Sequence, residues 1–262
     1  MGTDSTGGFS HGNEYPAIAL PFPLNTWAPY TEPQRDSFFY QYASGKIRGI
    51  RETHQPSPWI NDYGQFSLMP VSGKLVVTDE DRASDFKHEN EIVQPSYYSV
   101  QLDTWKARAE ITPTERAARF RFTFEGKGDS FVVLDCFDKG ATVEIIPGEN
   151  KIVGSVRYHC GDVPNIYSSN YFVIIFDQPF KAYGVWSSGH DIKAGETKFF
   201  CACSGLMKEE ATRQPTTFSL PVSNCRYAPA CFPDNLVSFA LMSPADDQTP
   251  CAVNGRSKMM TK

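Results

Sequence analysis

An all-β fold, an antiparallel β-sandwich, is the fold class that this sequence of 262 residues predicts. Three observations favour it: short stretches with a two-residue hydrophobic period, turn-forming residues between them at short intervals, and almost no stretch with the period of an amphipathic helix. Chains built from many short strands and frequent turns fold as sandwiches or barrels, because each half-apolar sheet must be covered by another.

The first 46 residues are rich in Gly, Pro, Asn and aromatic side chains and show no helical period, so we expect an irregular but ordered segment. Stretches rich in β-branched and aromatic residues follow. They predict strands near residues 64–70, 74–78, 97–103, 106–112, 118–124, 131–137, 171–176 and 181–187.

The clearest of these strands covers residues 118–124, where apolar and polar side chains alternate strictly. Its apolar positions are Ala118, Phe120, Phe122 and Phe124. We expect these rings on the inner face of the sandwich. The runs at 131–137 and 171–176 are continuously apolar, which is typical of strands buried on both faces. Between 142 and 158, Pro147-Gly148-Glu149-Asn150 predicts a hairpin with a short loop.

Composition excludes several classes of partner. A formal net charge of -5 offers no basic face, so we expect no nucleic-acid partner and no attraction to anionic membranes. No apolar run approaches the roughly 18 residues of a membrane span. The seven cysteines follow neither a disulfide framework nor a zinc-ligand spacing, and we expect no metal site in the chain.

Residues 53–66 form the most informative segment. They read Thr-His-Gln-Pro-Ser-Pro-Trp-Ile-Asn-Asp-Tyr-Gly-Gln-Phe. Two prolines fix a loop in which polar side chains stand beside the indole of Trp59. A sugar needs that combination, because its hydroxyls require polar partners while its C–H face packs on an aromatic ring. The same composition also suits a structural loop in which Trp59 fills the core and Asp62 caps a turn.

Other motifs have plainer interpretations. Residues 11–16, His-Gly-Asn-Glu-Tyr-Pro, have the composition of a tight turn. His88 could ligate a metal, but no second ligand stands at a recognisable spacing, so we expect a surface or hydrogen-bonded histidine. Carboxylates are plentiful, but their spacing singles out no general acid and base. Those considered are Glu52, Asp62, Glu110, Glu115, Asp135 and Asp138.

Motifs in a fixed order over residues 2–198 resemble glycoside hydrolase family 92, a family of exo-acting α-mannosidases. The 53–66 segment, followed by Met69-Pro70, matches the most specific signature. The other matching segments are Gly12-Asn13, Tyr15-Pro16, Leu20-Pro21-Phe22, Arg82-Ala83-Ser84, His88-Glu89 and Thr112 to Ala118. Ordered agreement over most of the chain is more specific than any single motif.

The resemblance implies a galactose-mutarotase-like N-terminal β-sandwich that packs on a larger C-terminal (α/α)6 domain, with the active site between them. It implies hydrolysis of terminal α-mannose, often α-1,2-linked, from glycans, with inversion and with a bound calcium ion. The catalytic acid and base and the calcium ligands are expected in the C-terminal domain, so no catalytic or metal residue is expected in this chain. Trp59 and Asp62 are the foremost candidates for sugar contact, followed by His54, Gln55 and Asn13.

The resemblance ends at Lys198. Residues 199–262 hold five of the seven cysteines and no sustained period, so we expect an unrelated, poorly packed tail in a chain without the C-terminal domain. An out-of-frame or mis-spliced end would produce such a change. Family members are usually exported from bacteria, whereas residues 1–13 lack the features of a signal peptide, so the localisation stays open.

Three functions remain in competition. The chain is an enzyme component that binds mannose together with its catalytic partner domain, or a stand-alone carbohydrate-binding module of lectin type, or an inert truncation product. Half of a cleft forfeits most of the contacts that bury a ligand, so the first is favoured over the second.

Overall fold

A computed structural model describes ten segments of the chain. They are residues 2–6, 8–9, 14–32, 40–53, 66–136, 141–160, 163–187, 192–200, 203–209 and 216–225. The chain divides into a large unit, Met1–Arg226, and a small one, Tyr227–Lys262. All of the described residues belong to the large unit.

The described segments are built from β-strands, joined by turns and by short 3-10 turns such as His88–Asn90 and Pro147–Glu149. In chain order the strands are β1 (Thr26–Tyr30), β2 (Lys46–Ile47), β3 (Gly49–Thr53), β4 (Ser67–Ser72), β5 (Ser84–Asp85), β6 (Glu91–Gln94), β7 (Tyr97–Leu102), β8 (Ala107–Pro113), β9 (Ala117–Phe124), β10 (Ser130–Asp135), β11 (Ala141–Ile146), β12 (Lys151–Cys160), β13 (Val163–Ile175), β14 (Ala182–Ser187), β15 (Lys193–Ala194), β16 (Lys198–Phe200), β17 (Cys203–Glu209) and β18 (Thr216–Cys225). Within these segments no helix is long and apolar enough to span a membrane.

Two large sheets contain most of these strands. The first has seven strands in the spatial order β1-β3-β4-β10-β17-β14-β15, and the second has nine in the order β16-β11-β12-β13-β18-β9-β8-β7-β6. Strands β2 and β5 form a small third sheet. Every described pair of neighbouring strands is antiparallel. The predicted antiparallel β-sandwich is therefore confirmed.

The hydrophobic core lies between the inner faces of the two large sheets. Trp27 of β1 meets Phe120 of β9 edge to face, with ring centroids 5.1 Å apart. Phe66, which precedes β4, lies 4.7 Å from Phe172 of β13. Phe120, Phe122 and Phe124 are all buried, while the intervening residues of β9 are more exposed. The inward-facing rings predicted from the two-residue period are confirmed.

The strand predictions succeed where period and composition agree. Strands β4, β7, β8, β9, β10 and β14 correspond to predicted stretches. The strand predicted near 74–78 is wrong, because Gly73 turns the chain out of β4 at a φ of 79°. Val77 is nevertheless buried, and its carbonyl accepts a hydrogen bond from Arg82 at 2.8 Å. Loop residues with strand-like composition thus pack against the sheet without joining it.

The two continuously apolar runs differ in their surroundings. Strand β10 is buried along almost its whole length, as predicted. In the 171–176 run only alternate side chains, those of Phe172, Ile174 and Phe176, are fully buried, and those between them are half-buried. The prediction that this run is buried on both faces is wrong for its outer face, since no second layer fully covers it among the described residues.

The hairpin predicted between residues 142 and 158 is confirmed. Strands β11 and β12 pair directly, with Ile146 opposite Lys151. The connection is the 3-10 turn Pro147–Glu149, and Asn150 closes it at a φ of 50°. Asparagine tolerates this left-handed conformation better than most residues, which explains its place at the end of the turn.

The sheets continue past the boundary predicted at residue 198. Strand β17 lies between β10 and β14, and β18 lies between β13 and β9. The sequence analysis expects residues 199–262 to be an unrelated tail. The structure instead places β17 and β18 of this segment within the two large sheets. Cys, Ser, Gly, Pro and Asn interrupt their hydrophobic pattern, so the period is weak in the sequence although both strands have partners on two sides. Residues 226–262 lie outside the described segments, and a poorly packed tail there stays a prediction.

Candidate functional site

The predicted sugar-contacting residues belong to parts of the chain that the structure does not describe. Trp59, Asp62, His54 and Gln55 lie in residues 54–65, called the 54–65 loop below, and Asn13 lies in another such segment. Their roles therefore stay predictions. The strands and side chains that flank residues 54–65, called the base of the loop below, are described.

The base of the 54–65 loop is a closed antiparallel hairpin. Strand β3 leads into the loop and β4 follows it, with Ile50 opposite Leu68 and Arg51 opposite Ser67. One pair further, the backbone N–H of Glu52 donates to the carbonyl of Phe66 at 3.0 Å. Pairing on both sides fixes the two ends of the loop next to each other.

Beneath this base lies a group of polar side chains between the two sheets, which we call the inter-sheet polar cluster: Asn25, Trp27, Glu52 and Asn170. Each is almost entirely buried. Trp27 lies directly opposite Glu52, so both point to the same face of the sheet. From β13 in the other sheet, the Asn170 Nδ2 donates to the Glu52 carboxylate at 3.1 Å. The base of the loop is thereby bonded to both sheets.

The outer face of the same sheet carries a second buried network. Arg82, which is fully buried, donates to the Tyr30 hydroxyl at 2.6 Å and pairs with Asp79 at 2.9 Å and Asp135 at 2.6 Å. The Arg51 guanidinium stacks over the Tyr30 ring at 3.8 Å. Burial, the largest cause, raises the pKa of Tyr30 to about 12, although Arg82 acts in the opposite direction. This network holds the outer side of β3 just before the loop begins.

His88 is hydrogen-bonded, as the sequence analysis expects. Its Nδ1 lies 2.9 Å from Glu91, its Nε2 lies 2.7 Å from the Tyr42 carbonyl, and its ring stacks on Tyr42 at 3.9 Å. The Tyr40 and Tyr98 hydroxyls donate to the same Glu91 carboxylate. Burial and then Glu91 raise the pKa of both tyrosines well above its usual range. This cluster holds the residues around Tyr42 against β6 and β7.

Three of the carboxylates considered in the sequence analysis have structural partners. Glu52 accepts from Asn170, and Asp135 pairs with Arg82. Glu110 accepts two hydrogen bonds from Arg121 and one from Tyr97. Burial opposes ionisation of Glu110, but the bonds from Arg121 and Tyr97 outweigh it and lower its pKa. Asp62 and Asp138 lie outside the described segments.

Sequence reasoning missed the inter-sheet polar cluster. Asn25 and Trp27 give no readable signal, because the polar Thr26 stands between them and no alternation of polar and apolar residues results. Glu52 and Asn170 are 118 positions apart, so their contact follows only from the pairing of the sheets.

Fold and site together define an antiparallel β-sandwich domain with a buried polar cluster next to the strands that flank residues 54–65. Residues 1–216 match the family model described as the glycosyl hydrolase family 92 N-terminal domain. The chain belongs to this family. No curated protein matches it.

The chain is similar to the solved structures of two proteins from Bacteroides thetaiotaomicron. The family GH92 inverting mannosidase BT2199 is 34% identical with a TM-score of 0.80, and the match covers 88% of this chain and 31% of that one. The family GH92 α-mannosidase BT3965, solved in complex with mannoimidazole, is 20% identical with a TM-score of 0.72, and the match covers 83% of this chain and 31% of that one. The chain thus spans about a third of the length of these relatives.

Proposed function

We propose that the chain is the N-terminal domain of a family 92 α-mannosidase and lends its 54–65 loop to a site that removes terminal α-mannose, α-1,2-linked, from glycans. The observation that carries the proposal is the base of this loop. It lies within the segment that matches the family, and it is bonded to both sheets through Glu52 and Asn170. The residues that flank the loop are thus fixed by pairing and by hydrogen bonds, which supports its use as a binding loop.

The chemistry of the loop suits a sugar. The Trp59 indole provides an apolar face for the C–H side of a mannose ring, and Asp62, His54 and Gln55 provide acceptors and donors for its hydroxyls. Asn13 is the fifth residue assigned to sugar contact. We choose mannose as the proposed sugar because the similar protein BT2199, 34% identical, is an inverting mannosidase.

We place the chemical steps in the two thirds of the relatives' length that this chain does not cover. An inverting glycosidase needs one carboxylic acid that protonates the leaving group and one carboxylate that activates water. Both are assigned to an (α/α)6 partner domain, as are the calcium ligands. Among the described residues, no three His, Cys, Asp or Glu side chains form a group that could hold a metal ion. We therefore assign no catalytic step to this chain alone.

A chain that supplies only half of the site is expected to bind the sugar weakly. Stacking of one sugar ring on one indole contributes about 0.5–1.5 kcal/mol beyond the area that it buries. Without the partner domain the remaining contacts are few, so we expect a dissociation constant of about 1 mM or weaker.

The test is a titration of the chain with α-1,2-mannobiose, followed in proton–nitrogen correlation spectra. Trp59→Ala is expected to abolish the shifts, whereas Phe22→Ala is expected to leave them unchanged. Phe22 is a suitable control because its ring is 98% exposed and lies outside the loop. An α-1,6-linked mannobiose reports on linkage. Mannobiose shifts that survive Trp59→Ala, or no shifts at millimolar sugar, would contradict the proposal.

A further inference from the structure

The hydrogen bonds of His88 determine where the protons of its ring lie. Nε2 is 2.7 Å from the Tyr42 carbonyl oxygen, which can only accept, so Nε2 carries a proton. Nδ1 is 2.9 Å from the Glu91 carboxyl group, and that contact also needs a proton between the two atoms. A neutral imidazole has only one N–H. The second proton therefore belongs either to His88 Nδ1 or to Glu91.

The surroundings of Glu91 favour its ionised form. Its side chain is only 4% exposed, and its two oxygens accept from the Tyr98 hydroxyl at 2.7 Å and from the Tyr40 hydroxyl at 2.8 Å. Both tyrosines keep their protons, because burial and then Glu91 raise the pKa of each well above its usual range. Donors directed at a carboxyl group stabilise the carboxylate. The second proton is thus placed on Nδ1, which makes His88 an imidazolium.

Aromatic side chains on either side suit a charged ring. The Tyr42 ring stacks on the His88 ring with the centroids 3.9 Å apart and the planes at 6°, and a cation is attracted to such an aromatic face. Phe86 lies edge to face at 5.0 Å. Lys87 and Glu89, which flank His88 in the chain, are exposed and pair with each other at 3.8 Å. The titratable groups that face His88 and its carboxylate are Tyr40 and Tyr42 from the segment before β2, Glu91 from β6 and Tyr98 from β7.

The bond to Tyr42 connects His88 to the N-terminal 3-10 turn, Gly2–Asp4. The Tyr42 N–H donates to the carbonyl of Thr3 at 3.1 Å, and Thr3 itself is buried. Both backbone groups of Tyr42 are thereby bonded, one to the N-terminal turn and one to His88. Glu91 continues the connection into β6, which is the last strand at one side of the nine-stranded sheet.

We propose that His88 acts as a proton-dependent latch, which as an imidazolium joins Tyr42, and with it the N-terminal turn, to Glu91 at the edge of the nine-stranded sheet. A neutral ring cannot donate to the Tyr42 carbonyl and to Glu91 at once. The latch is therefore closed while His88 holds both ring protons, and it opens as rising pH removes one of them.

The first test is the nitrogen chemical shifts of the His88 ring in the intact chain at neutral pH. These shifts distinguish an imidazolium from either neutral tautomer. Both nitrogens are expected to be protonated in the folded chain. The same chain unfolded in urea is the reference, because an ordinary histidine is mostly neutral at pH about 7. A folded chain in which Nδ1 carries no proton overturns the proposal.

The second test is hydrogen exchange at the Tyr42 N–H as pH is raised until the nitrogen shifts show a neutral His88. Loss of a charge-assisted hydrogen bond is expected to lower the protection factor of Tyr42 about 10-fold or more, in step with the protonation of the ring. The Phe176 N–H, which donates to the Asn150 carbonyl at 2.8 Å, is the internal control and is expected to stay protected. Protection of Tyr42 that does not follow the protonation of His88 overturns the proposal.

His88→Phe provides a third measurement, because phenylalanine keeps a ring against Tyr42 but donates no hydrogen bond. The protection factor of Tyr42 is expected to fall about 10-fold or more and to lose its dependence on pH. Lys87→Gln, the matched control, removes a positive charge one residue away from a side chain that is 66% exposed, and it is expected to leave Tyr42 protected. Retained protection of Phe176 shows that each variant is folded. Equal protection of Tyr42 in His88→Phe and in the parent chain overturns the proposal.

Discussion

Arginine–carboxylate pairs occur in two contrasting surroundings among the described residues. Arg82 is fully buried between Asp79 and Asp135. Arg121 lies on the outer face of β9 with 49% of its side chain exposed, and it pairs with Glu110. Loss of one partner from a buried pair leaves an uncompensated charge in the interior, whereas water compensates the same loss at the surface.

Arg82→Met is therefore expected to lower the free energy of unfolding by about 3–5 kcal/mol. Arg121→Met, the matched control, is expected to lower it by about 1 kcal/mol or less. Urea unfolding followed by circular dichroism measures both values. Similar losses in the two variants would contradict the structural role assigned to Arg82.

Tyr30 gives the fold a dependence on alkaline pH. Its pKa is about 12 in the folded chain, raised above the ordinary value by burial. A raised folded pKa means that the contribution of the protonated phenol is fully present below pH about 10 and is lost as pH rises towards 12. The parent chain is expected to lose stability over this interval more steeply than the Tyr30→Phe variant. Equal slopes in urea unfolding would show that Tyr30 does not titrate as described.

At the residue scale, the sequence predicts apolar positions better than buried polar ones. Phe120, Phe122 and Phe124 follow from their two-residue period, which needs no knowledge of the partner strands. Burial of Arg82, Glu52 and Asn170 depends on partners far away in the chain. Because such residue types are usually exposed, composition alone predicts that they lie at the surface, whereas in the structure they are buried.

Among the elements, the β12–β13 pair has a close approach that requires glycine. A Cβ at Gly154 would contact the Phe172 ring and would lie 2.6 Å from the Thr142 carbonyl oxygen of β11. At Gly148, in the β11–β12 turn, a Cβ would meet nothing within 4 Å. Gly154→Ala is expected to destabilise the chain by about 1–3 kcal/mol through overpacking. Gly148→Ala is expected to change stability by about 0.5 kcal/mol or less. Thermal unfolding of both variants compares them, and a tolerated Gly154→Ala would refute this packing.

Strands β17 and β18 are the last strands of the sandwich that the structure describes. Each lies between two other strands, so their removal leaves β10, β14, β13 and β9 with unpaired edges. A chain that ends after residue 225 is expected to unfold cooperatively, whereas one that ends after residue 198 is expected to aggregate or remain unfolded. Cooperative unfolding of the shorter chain would restore the boundary predicted from the sequence.

At the element scale, prediction from sequence depends on how regular each strand is. The β11–β12 hairpin is recognisable because four turn-forming residues separate two β-rich stretches. Strand β18 is not, because Pro221, Ser223 and Asn224 interrupt its apolar residues. Its place between β13 and β9 is imposed by pairing on both sides, which is a property of the assembled sheet.

For the whole molecule, the ordered motifs in the sequence predict the family and the sandwich, and the family match and the structure bear both out. The candidate site is predicted less fully. The 54–65 loop is nominated by its composition, whereas the polar groups beneath it become visible only when the two sheets are brought together. The central claim is that this sandwich supplies binding groups to a mannose site and no catalytic ones.

The most direct test of that claim is an assay of the purified chain with α-1,2-mannobiose and added calcium. General acid and general base catalysis each contribute about 10²–10⁴-fold, so a chain that contributes neither is expected to release no measurable mannose. A full-length family 92 mannosidase under the same conditions confirms that the assay works. Release of mannose by the chain alone, abolished by Asp62→Asn, would contradict the account and place the catalytic chemistry in the 54–65 loop.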